Sequence, residues 1–386
     1  MPNARETVIA GYIPLLDSAL LIAAAQLGFA EAEGIELKLV RETSWANIRD
    51  RISVGHFDVA HMLGPMPIAA SLNITSLAVP MRAPMALGLG GNAITVSTEI
   101  WRAMVDAGAG QEGDPATTGD ALKRVIEARS AEVRPPLRFG VVHPFSGHAY
   151  ELRYWLAAAG IHPDLDVEIT VLPPPLMPDA LAVGQIDGYC VGEPWNTVSV
   201  ASGAGRIVTF KEAIWPASPE KVLGVSERWA DAHPDLLDRL IRALVRSAAW
   251  CGAPANAQKL ANLLSASDVL DCPPDFCMPA LTGELCLEQG ALPISVPFLT
   301  FSGEHAHSPQ PEHGLWFYSQ MVRWGQVHFD PAHLGIVRRT FDADLYRRAL
   351  GLSALPLAPE RARFFDHAYF DPSDIEAYVS AFSLKC

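Results

Sequence analysis

The chain has 386 residues, 49% of them hydrophobic and 19% charged, enough to bury a large core; at about 100–200 residues per domain, that length predicts two lobes with a cleft between them. Its 29 basic and 43 acidic residues leave a formal net charge of −14, which excludes a broad phosphate-binding surface, because nucleic-acid affinity rests on clustered Lys and Arg. No stretch approaches the roughly 20 uninterrupted apolar residues of a membrane-spanning helix, so a soluble protein without membrane insertion is expected.

Residues 1–7 offer no basic start, apolar run or small-residue cleavage site, so no export signal is expected and the reading is cytoplasmic, unless the true start lies upstream. Residues 8–13 predict an opening strand, and Asp17-Ser18 opens an apolar-periodic helix over 19–28 whose N-terminus faces a cleft. Gly34 ends that segment, 35–40 alternates like a half-buried strand, and Ser44 caps a helix starting at Trp45. Residues 55–61 return as a strand, and Pro65 and Pro67 sit in the first turn of a further helix. This alternation predicts a parallel sheet covered by helices on both faces, with ligands at the carboxyl ends of strands.

The glycine-rich run 88–95 reads as strand and turn, and 108–114 as a surface loop, with the crossing into the second lobe near 95. That lobe is expected to hold strands at 137–142, 167–172 and 188–191 and a helix at 149–159, before 192–195 carries the chain back. Residues 227–251 read as strongly helical, and 255–386 as turns and short helices, including one over 314–324. The expected division is lobe 1 from 1–95 and 196–386, and lobe 2 from 96–195. Neither an internal repeat nor a low-complexity segment is present.

Six cysteines, Cys190, Cys251, Cys272, Cys277, Cys286 and Cys386, form no CxxC and no Cys/His zinc pattern, so reduced thiols are expected. Prolines 273, 274 and 279 interrupt the Cys272, Cys277 and Cys286 stretch. His305, His307 and His313 fall in a polar loop with no carboxylate or thiolate at supporting spacing, and Arg49 with Asp50 reads as a helix-surface or interlobe pair. No metal and no cofactor are expected. A Gly-x-Ser-x-Gly or Cys/His nucleophile–base motif is absent too, so an enzyme is not expected.

Five strings occur in order: Gly11-Tyr12-Ile13-Pro14-Leu15-Leu16-Asp17, Ser44-Trp45-Ala46-Asn47-Ile48-Arg49-Asp50, His61-Met62-Leu63-Gly64-Pro65-Met66-Pro67, Arg153-Tyr154-Trp155-Leu156-Ala157-Ala158-Ala159-Gly160-Ile161 and Cys190-Val191-Gly192-Glu193-Pro194-Trp195-Asn196. Together with Gly314-Leu315-Trp316-Phe317, they resemble the nitrate- and bicarbonate-binding proteins of ABC importers. That resemblance implies an α/β, two-lobed, periplasmic-binding-protein-like fold of type II with the ligand between the lobes. Without an export signal, the chain looks most similar to the cytoplasmic nitrate/nitrite sensors of the NasS type. This implies control of an RNA-binding antiterminator of the NasT type through ligand-dependent lobe closure. The alternative is the solute-binding component of a nitrate/bicarbonate-type ABC importer.

Nitrate is planar, carries one delocalised charge and only accepts hydrogen bonds, so a pocket for it needs several donors and about one positive charge. His148 stands just before a helix, where backbone N–H groups already favour an anion, and it corresponds to the ligand histidine of the family. Lys221 matches the lysine that supplies compensating charge in nitrate-type members; a closed, empty cleft would bury it unpaired, which favours open lobes without ligand. The Trp45 indole N–H is a further donor and wall, and Asn92 replaces the Gln usual among transporters. Gly192, Glu193 and Trp195 complete the candidate set at the return crossing, with Glu193 orienting Lys221 or, as bicarbonate relatives suggest, helping to hold calcium. Nitrate, nitrite and bicarbonate are not distinguished by these residues.

Overall fold

The computed structural model describes residues 5–303, 305–354 and 363–385. Residues 1–4, on which the export-signal reading rests in part, and Cys386 lie outside the described residues.

The first half opens as strand, helix, strand, helix: β1 (Glu6–Tyr12), α1 (Ala19–Gln26), β2 (Ile35–Arg41), α2 (Trp45–Ser53), β3 (Val59–Leu63), α3 (Pro65–Ser71) and β4 (Met81–Ala86). Local chemistry sets these boundaries. The Ser44 hydroxyl accepts the Asn47 N–H at 3.3 Å and caps α2, while Pro65 occupies the first position of α3, where no backbone donor is needed. Two extended segments follow, β5 (Leu89–Gly90) and β6 (Asn92–Ser97), and then α4 (Thr98–Asp106), α5 (Pro115–Ala131), β7 (Leu137–Val141), α6 (Gly147–Ala158), β8 (Val167–Val171), α7 (Met177–Ala182), β9 (Gly188–Gly192), α8 (Trp195–Ala201) and β10 (Gly205–Phe210). The chain returns through α9 (Lys211–Ile214) to β11 (Lys221–Ser226).

These strands form two five-stranded sheets, ordered β2-β1-β3-β11-β4 and β10-β6-β9-β7-β8. Both are mixed rather than parallel. In the first, β11 runs antiparallel to β3 and β4; in the second, β6 runs antiparallel to β9 and β10. The parallel strands are those joined by local helical crossovers, whereas β6 and β11 enter their sheets from the opposite lobe, which reverses their direction. The strands of the second sheet run in sequence from Asn92 to Phe210.

Beyond β11 lie α10 (Glu227–Ala232) and α11 (Pro234–Cys251). The helical stretch read over 227–251 is therefore two helices, broken at His233 (φ −133°, ψ 51°), because Pro234 lacks an N–H and excludes the helical conformation from the residue before it. Then come α12 (Ala257–Leu264), α13 (Pro274–Thr282), the short strands β12 (Glu284–Leu285), β13 (Ile294–Ser295) and β14 (Leu299–Thr300), and α14 (Pro311–Arg323), α15 (Pro331–Thr340), α16 (Ala343–Ala349) and α17 (Ile375–Ser380).

This C-terminal part braces both lobes. β14 pairs antiparallel with β5 at the crossing, and the Gly91 N–H donates to the Phe298 carbonyl at 2.7 Å. Gly90 has φ +76°, and any side chain there would strike the same Phe298 carbonyl, so glycine is required for the clasp. On the second lobe, the Tyr150 hydroxyl of α6 donates to Gln326 at 2.7 Å and that of Tyr154 to Asp366 at 3.0 Å. Trp316 of α14 lies 4.0 Å from Trp215 and 5.5 Å from Phe364 between ring centroids, fully buried in the cluster that joins the lobes. Among the described residues no helix is long and apolar enough to cross a membrane.

Truncating Trp316 to Ala removes this ring stack and is expected to cost about 3–5 kcal/mol. A fall in the urea midpoint at unchanged slope measures it, with the exposed Leu292→Ala staying within about 0.5 kcal/mol of the parent.

Candidate ligand site between the lobes

The first lobe contributes Asp17, in the turn Leu16–Ser18 ahead of α1, Trp45 at the start of α2, His61 in β3, and the adjacent Glu220 and Lys221 where β11 begins. From the second come Asn92 at the start of β6, directly opposite Gly192 in β9, His148 and Glu151 in the first turns of α6, and Lys211 at the start of α9. Every one of these side chains is buried.

They form one chain of charges. Lys221 Nζ lies 2.8 Å from Asp17 Oδ2 and 3.5 Å from Glu220 Oε1. The other Asp17 oxygen is 2.9 Å from His61 Nε2, while His61 Nδ1 accepts the Ile13 N–H at 3.4 Å. Glu220 Oε1 also lies 3.0 Å from His148 Nδ1, and its Oε2 is 3.8 Å from Lys211 Nζ. Lys211 pairs closely with Glu151, whose second oxygen accepts from Asn92 Nδ2 at 3.0 Å. The Lys221 ammonium sits 5.6 Å from the Trp45 ring centroid, and Trp45 packs 5.3 Å from His61. Gly147 makes the seam possible: a methyl group there would collide with Glu220 Oε2, so only glycine lets this carboxylate reach the N-terminus of α6.

Burial alone would raise the pKa values of Asp17 and Glu220, but neighbouring lysine and histidine side chains outweigh it. Lys221 and His61 hold Asp17 well below the usual carboxylate range. His148, then Lys221, does the same for Glu220. Burial opposes the charge of Lys221, yet Asp17 and Glu220 raise its pKa above the ordinary value. For His61 burial prevails, and the imidazole stays neutral.

Two expectations are corrected. Lys221 is not left unpaired in the closed arrangement, since Asp17 and Glu220 neutralise it, so its burial gives no reason for the lobes to stand open. Glu193 does not orient Lys221. Its carboxylate accepts the Thr197 N–H at 3.1 Å at the start of α8, and its charge bears on Tyr189, Cys272 and Cys277. Only its backbone joins the lobes, the carbonyl accepting the Leu16 N–H at 3.0 Å. Asn92 gives one of its two amide N–H donors to Glu151, which links it into the network. Gly192 stands against the Asp17 carboxylate, 3.6 Å from where a Cβ would lie. Trp195 is buried at the start of α8, its carbonyl accepting from Tyr189 and its indole N–H without a partner among the described residues. Arg49 and Asp50 pair at 2.7 Å on α2 and act on His143 of the second lobe.

Asp17, His61, Glu151, Lys211 and Glu220 were not among the sequence candidates. Glu151 follows His148 by one helical turn and Glu220 adjoins Lys221, so both were within reach of spacing. The other three come together only through the tertiary fold. Trp45 Nε1 and His148 Nε2 are buried beside the network and have no partner among the described residues. The arrangement presents an indole, an imidazole and a lysine around one interlobe seam. Among the described residues no group of three or more His, Cys, Asp or Glu is placed to hold a metal ion.

Burial pushes the Glu193 carboxyl up to about 7 from 4.5. A raised acid stabilises the fold least when ionised, so stability is expected to fall as pH rises from 4.5 through 7, by about 3 kcal/mol. Glu193→Gln keeps an acceptor for Thr197 and removes that charge. It should raise Tm at pH 8 and leave it unchanged at pH 4; an equal gain at both would refute the assignment.

Residues 2–265 match the NMT1-like family. The nitrate import ATP-binding protein NrtC of Synechocystis sp. is 32% identical over 382 residues, covering 97% of this chain and 55% of that protein. The chain thus spans about half the length of the curated relatives it matches first. The nitrate/nitrite binding protein NrtA of Synechococcus elongatus is 30% identical over 393 residues, with 98% of this chain and 86% of that protein covered. The crystal structure of the periplasmic nitrate-binding protein NrtA from Synechocystis superposes with a TM-score of 0.89 at 26% identity, covering 98% of this chain and 99% of that one. The chain therefore belongs to the NMT1-like family and has the two-lobed α/β fold of periplasmic binding proteins.

Proposed function

We propose that this protein captures a small inorganic oxyanion, nitrate or nitrite, between its lobes and serves as the solute-binding component of an importer. The observation that carries this reading is the pair of buried ring nitrogens, Trp45 Nε1 and His148 Nε2, without partners among the described residues beside the Lys221 seam. A buried donor without a partner costs about 1–3 kcal/mol, and an oxyanion between the lobes would satisfy both rings at once. The named functions of NrtA and NrtC support the importer reading. Those names lend no support to the sensor acting on a NasT-type antiterminator.

Binding without turnover fits the same residues. Cys190, close enough to feel the charges of Glu151 and Glu220, is held protonated by burial and by those carboxylates and offers no thiolate nucleophile.

Melting temperature should rise with nitrate or nitrite, by an amount equivalent to about 2.7 kcal/mol at a hundredfold excess over Kd. Lys221→Ala and His148→Ala are each expected to weaken binding by about 1.5–3 kcal/mol in calorimetric titrations. The reading fails if no oxyanion shifts the melt, or if both variants bind like the parent.

A further inference from the structure

We infer that Cys272 and Cys277 are a redox pair, oxidised to a disulfide by a peroxide through attack of Cys277 on the oxidant and resolution by Cys272. The pair shares no residue with the oxyanion seam, and its test does not depend on that reading.

The placement follows from how α13 begins. Pro273 caps the helix and Pro274 is its first residue, so Cys272 stands one residue before the cap and Cys277 is the fourth residue of the helix. Side chains at these two positions meet across the first turn, an arrangement that ordinarily joins two apolar groups. Here both are thiols. The backbone around them is pinned, because the Asp271 N–H donates to the Ala266 carbonyl at 3.1 Å and the Phe276 N–H to the Pro273 carbonyl at 3.0 Å. The rings of Pro273 and Pro274 fix two further backbone angles between the thiols. Both cysteines lie in one buried apolar cluster, α13 packs against α12 and α8, and the two thiols hydrogen-bond to each other. A disulfide holds its sulfurs at about 2.0 Å, a short closing movement for thiols already in contact.

That hydrogen bond divides the roles. Cys272 donates its S–H to Cys277 and so lowers the Cys277 thiol below its ordinary value, and Ser265, with Oγ 3.8 Å from Cys277 Sγ, adds to this against burial. The same bond, together with burial, holds Cys272 protonated. Glu193, whose charge reaches both thiols, opposes a thiolate on either. Other cysteines lack such an arrangement. The Cys251 thiol donates to the Ala19 carbonyl at 3.9 Å and burial pushes it up to about 12, and Cys190 is held protonated as described above.

A peroxide is the oxidant class that fits, being small and uncharged, because the pair is nearly closed off at 5% exposure for Cys272 and 0% for Cys277. The Cys277 thiolate attacks one peroxide oxygen; the O–O bond breaks, an S–O bond forms and hydroxide leaves, giving a sulfenic acid. The Cys272 sulfur then attacks Cys277 Sγ, the S–O bond breaks, and the departing hydroxyl leaves as water with the Cys272 proton. Hydroxide from the first step takes the proton that Cys277 lost. Two thiols thus give up two electrons in all, and one peroxide is reduced to two waters.

The test treats the full, folded chain with a slight molar excess of hydrogen peroxide, quenches with catalase, then unfolds the protein and alkylates what remains. Free thiols, six in the reduced chain, are expected to fall by two and to return with dithiothreitol. Proteolysis on the N-terminal side of Asp275 separates the two cysteines, so the bridge is read by mass as two peptides that stay joined until reduction. Cys277 should react at least about tenfold faster than Cys190 and Cys251, whose thiols stay protonated. In Cys272→Ser the sulfenic acid has no resolving thiol, and dimedone should capture it at Cys277. The inference is overturned if all six thiols survive peroxide that oxidises the same chain in guanidinium, if the lost pair maps elsewhere, or if Cys277 ends as a sulfinic acid without a bridge. Absence of dimedone at Cys277 in a folded Cys272→Ser variant would refute its role as the attacking thiol. Mapping of the wild-type bridge decides the matter should the variant fail to fold.

Discussion

The seam of buried charge between the lobes constrains everything around it. An ion removed from water costs several kcal/mol, and breaking a buried pair by deleting one partner costs about 3–5 kcal/mol. Asp17, Glu151, Glu220, Lys211 and Lys221 are therefore tolerable only if all arrive together. They come from the turn before α1, from α6, from α9 and from the start of β11. The fold must bring these points to one place, and the two antiparallel entries, β6 and β11, do so. Each crosses between lobes and begins at the seam, with Asn92 and Lys221 as its first residues.

How the pairs divide between lobes has consequences for motion. Asp17, His61 and Lys221 satisfy one another within the first lobe, and Asn92, Glu151 and Lys211 within the second. Glu220 is the member that reaches across, to His148 and Lys211. Separating the lobes would leave each ammonium with its nearest carboxylate and would strip Glu220 of its partners in the second lobe. The energetic cost of opening thus concentrates on one side chain. The C-terminal brace acts on the same elements, since α14 and residues near 365 grip α6 while β14 clasps β5 at the crossing.

Much of this was legible in the sequence where the signal is local. Ser44 before Trp45, the prolines opening α3, and the apolar runs of β7 and β9 mark element ends through capping, missing donors and burial. Gly192 sits in a string that carried the family resemblance, whereas Gly147 lies outside those strings, just before His148, and its role proves steric, since the Glu220 carboxylate fills the space where a side chain would lie. What escaped was whatever depends on partners distant in sequence. Strand direction in a mixed sheet follows from the crossing and leaves hydrophobic alternation unchanged. Lys211 and Asp17 look like ordinary surface charges until the fold buries them, 0% and 7% exposed in their side chains. Glu193 misled for the converse reason: it adjoins Gly192 at the seam, yet its carboxylate accepts the Thr197 N–H at the start of α8.

The way Lys221 is used bears on what the cleft can recognise. Asp17 and Glu220 already neutralise it, and its ammonium lies over the Trp45 ring. A net positive charge waiting for any anion would bind chloride as readily as nitrate. Here the unsatisfied elements are directional instead: an indole N–H and an imidazole nitrogen, fixed by packing at separate points of the seam. Directional donors reward a ligand with acceptors at matching positions, and they penalise one that leaves either ring unpaired. On the oxyanion reading proposed above, selectivity over a spherical halide would follow from the neutralised lysine together with the positioned rings, and the carboxylates that seem hostile to an anion would be the groups that make that discrimination possible.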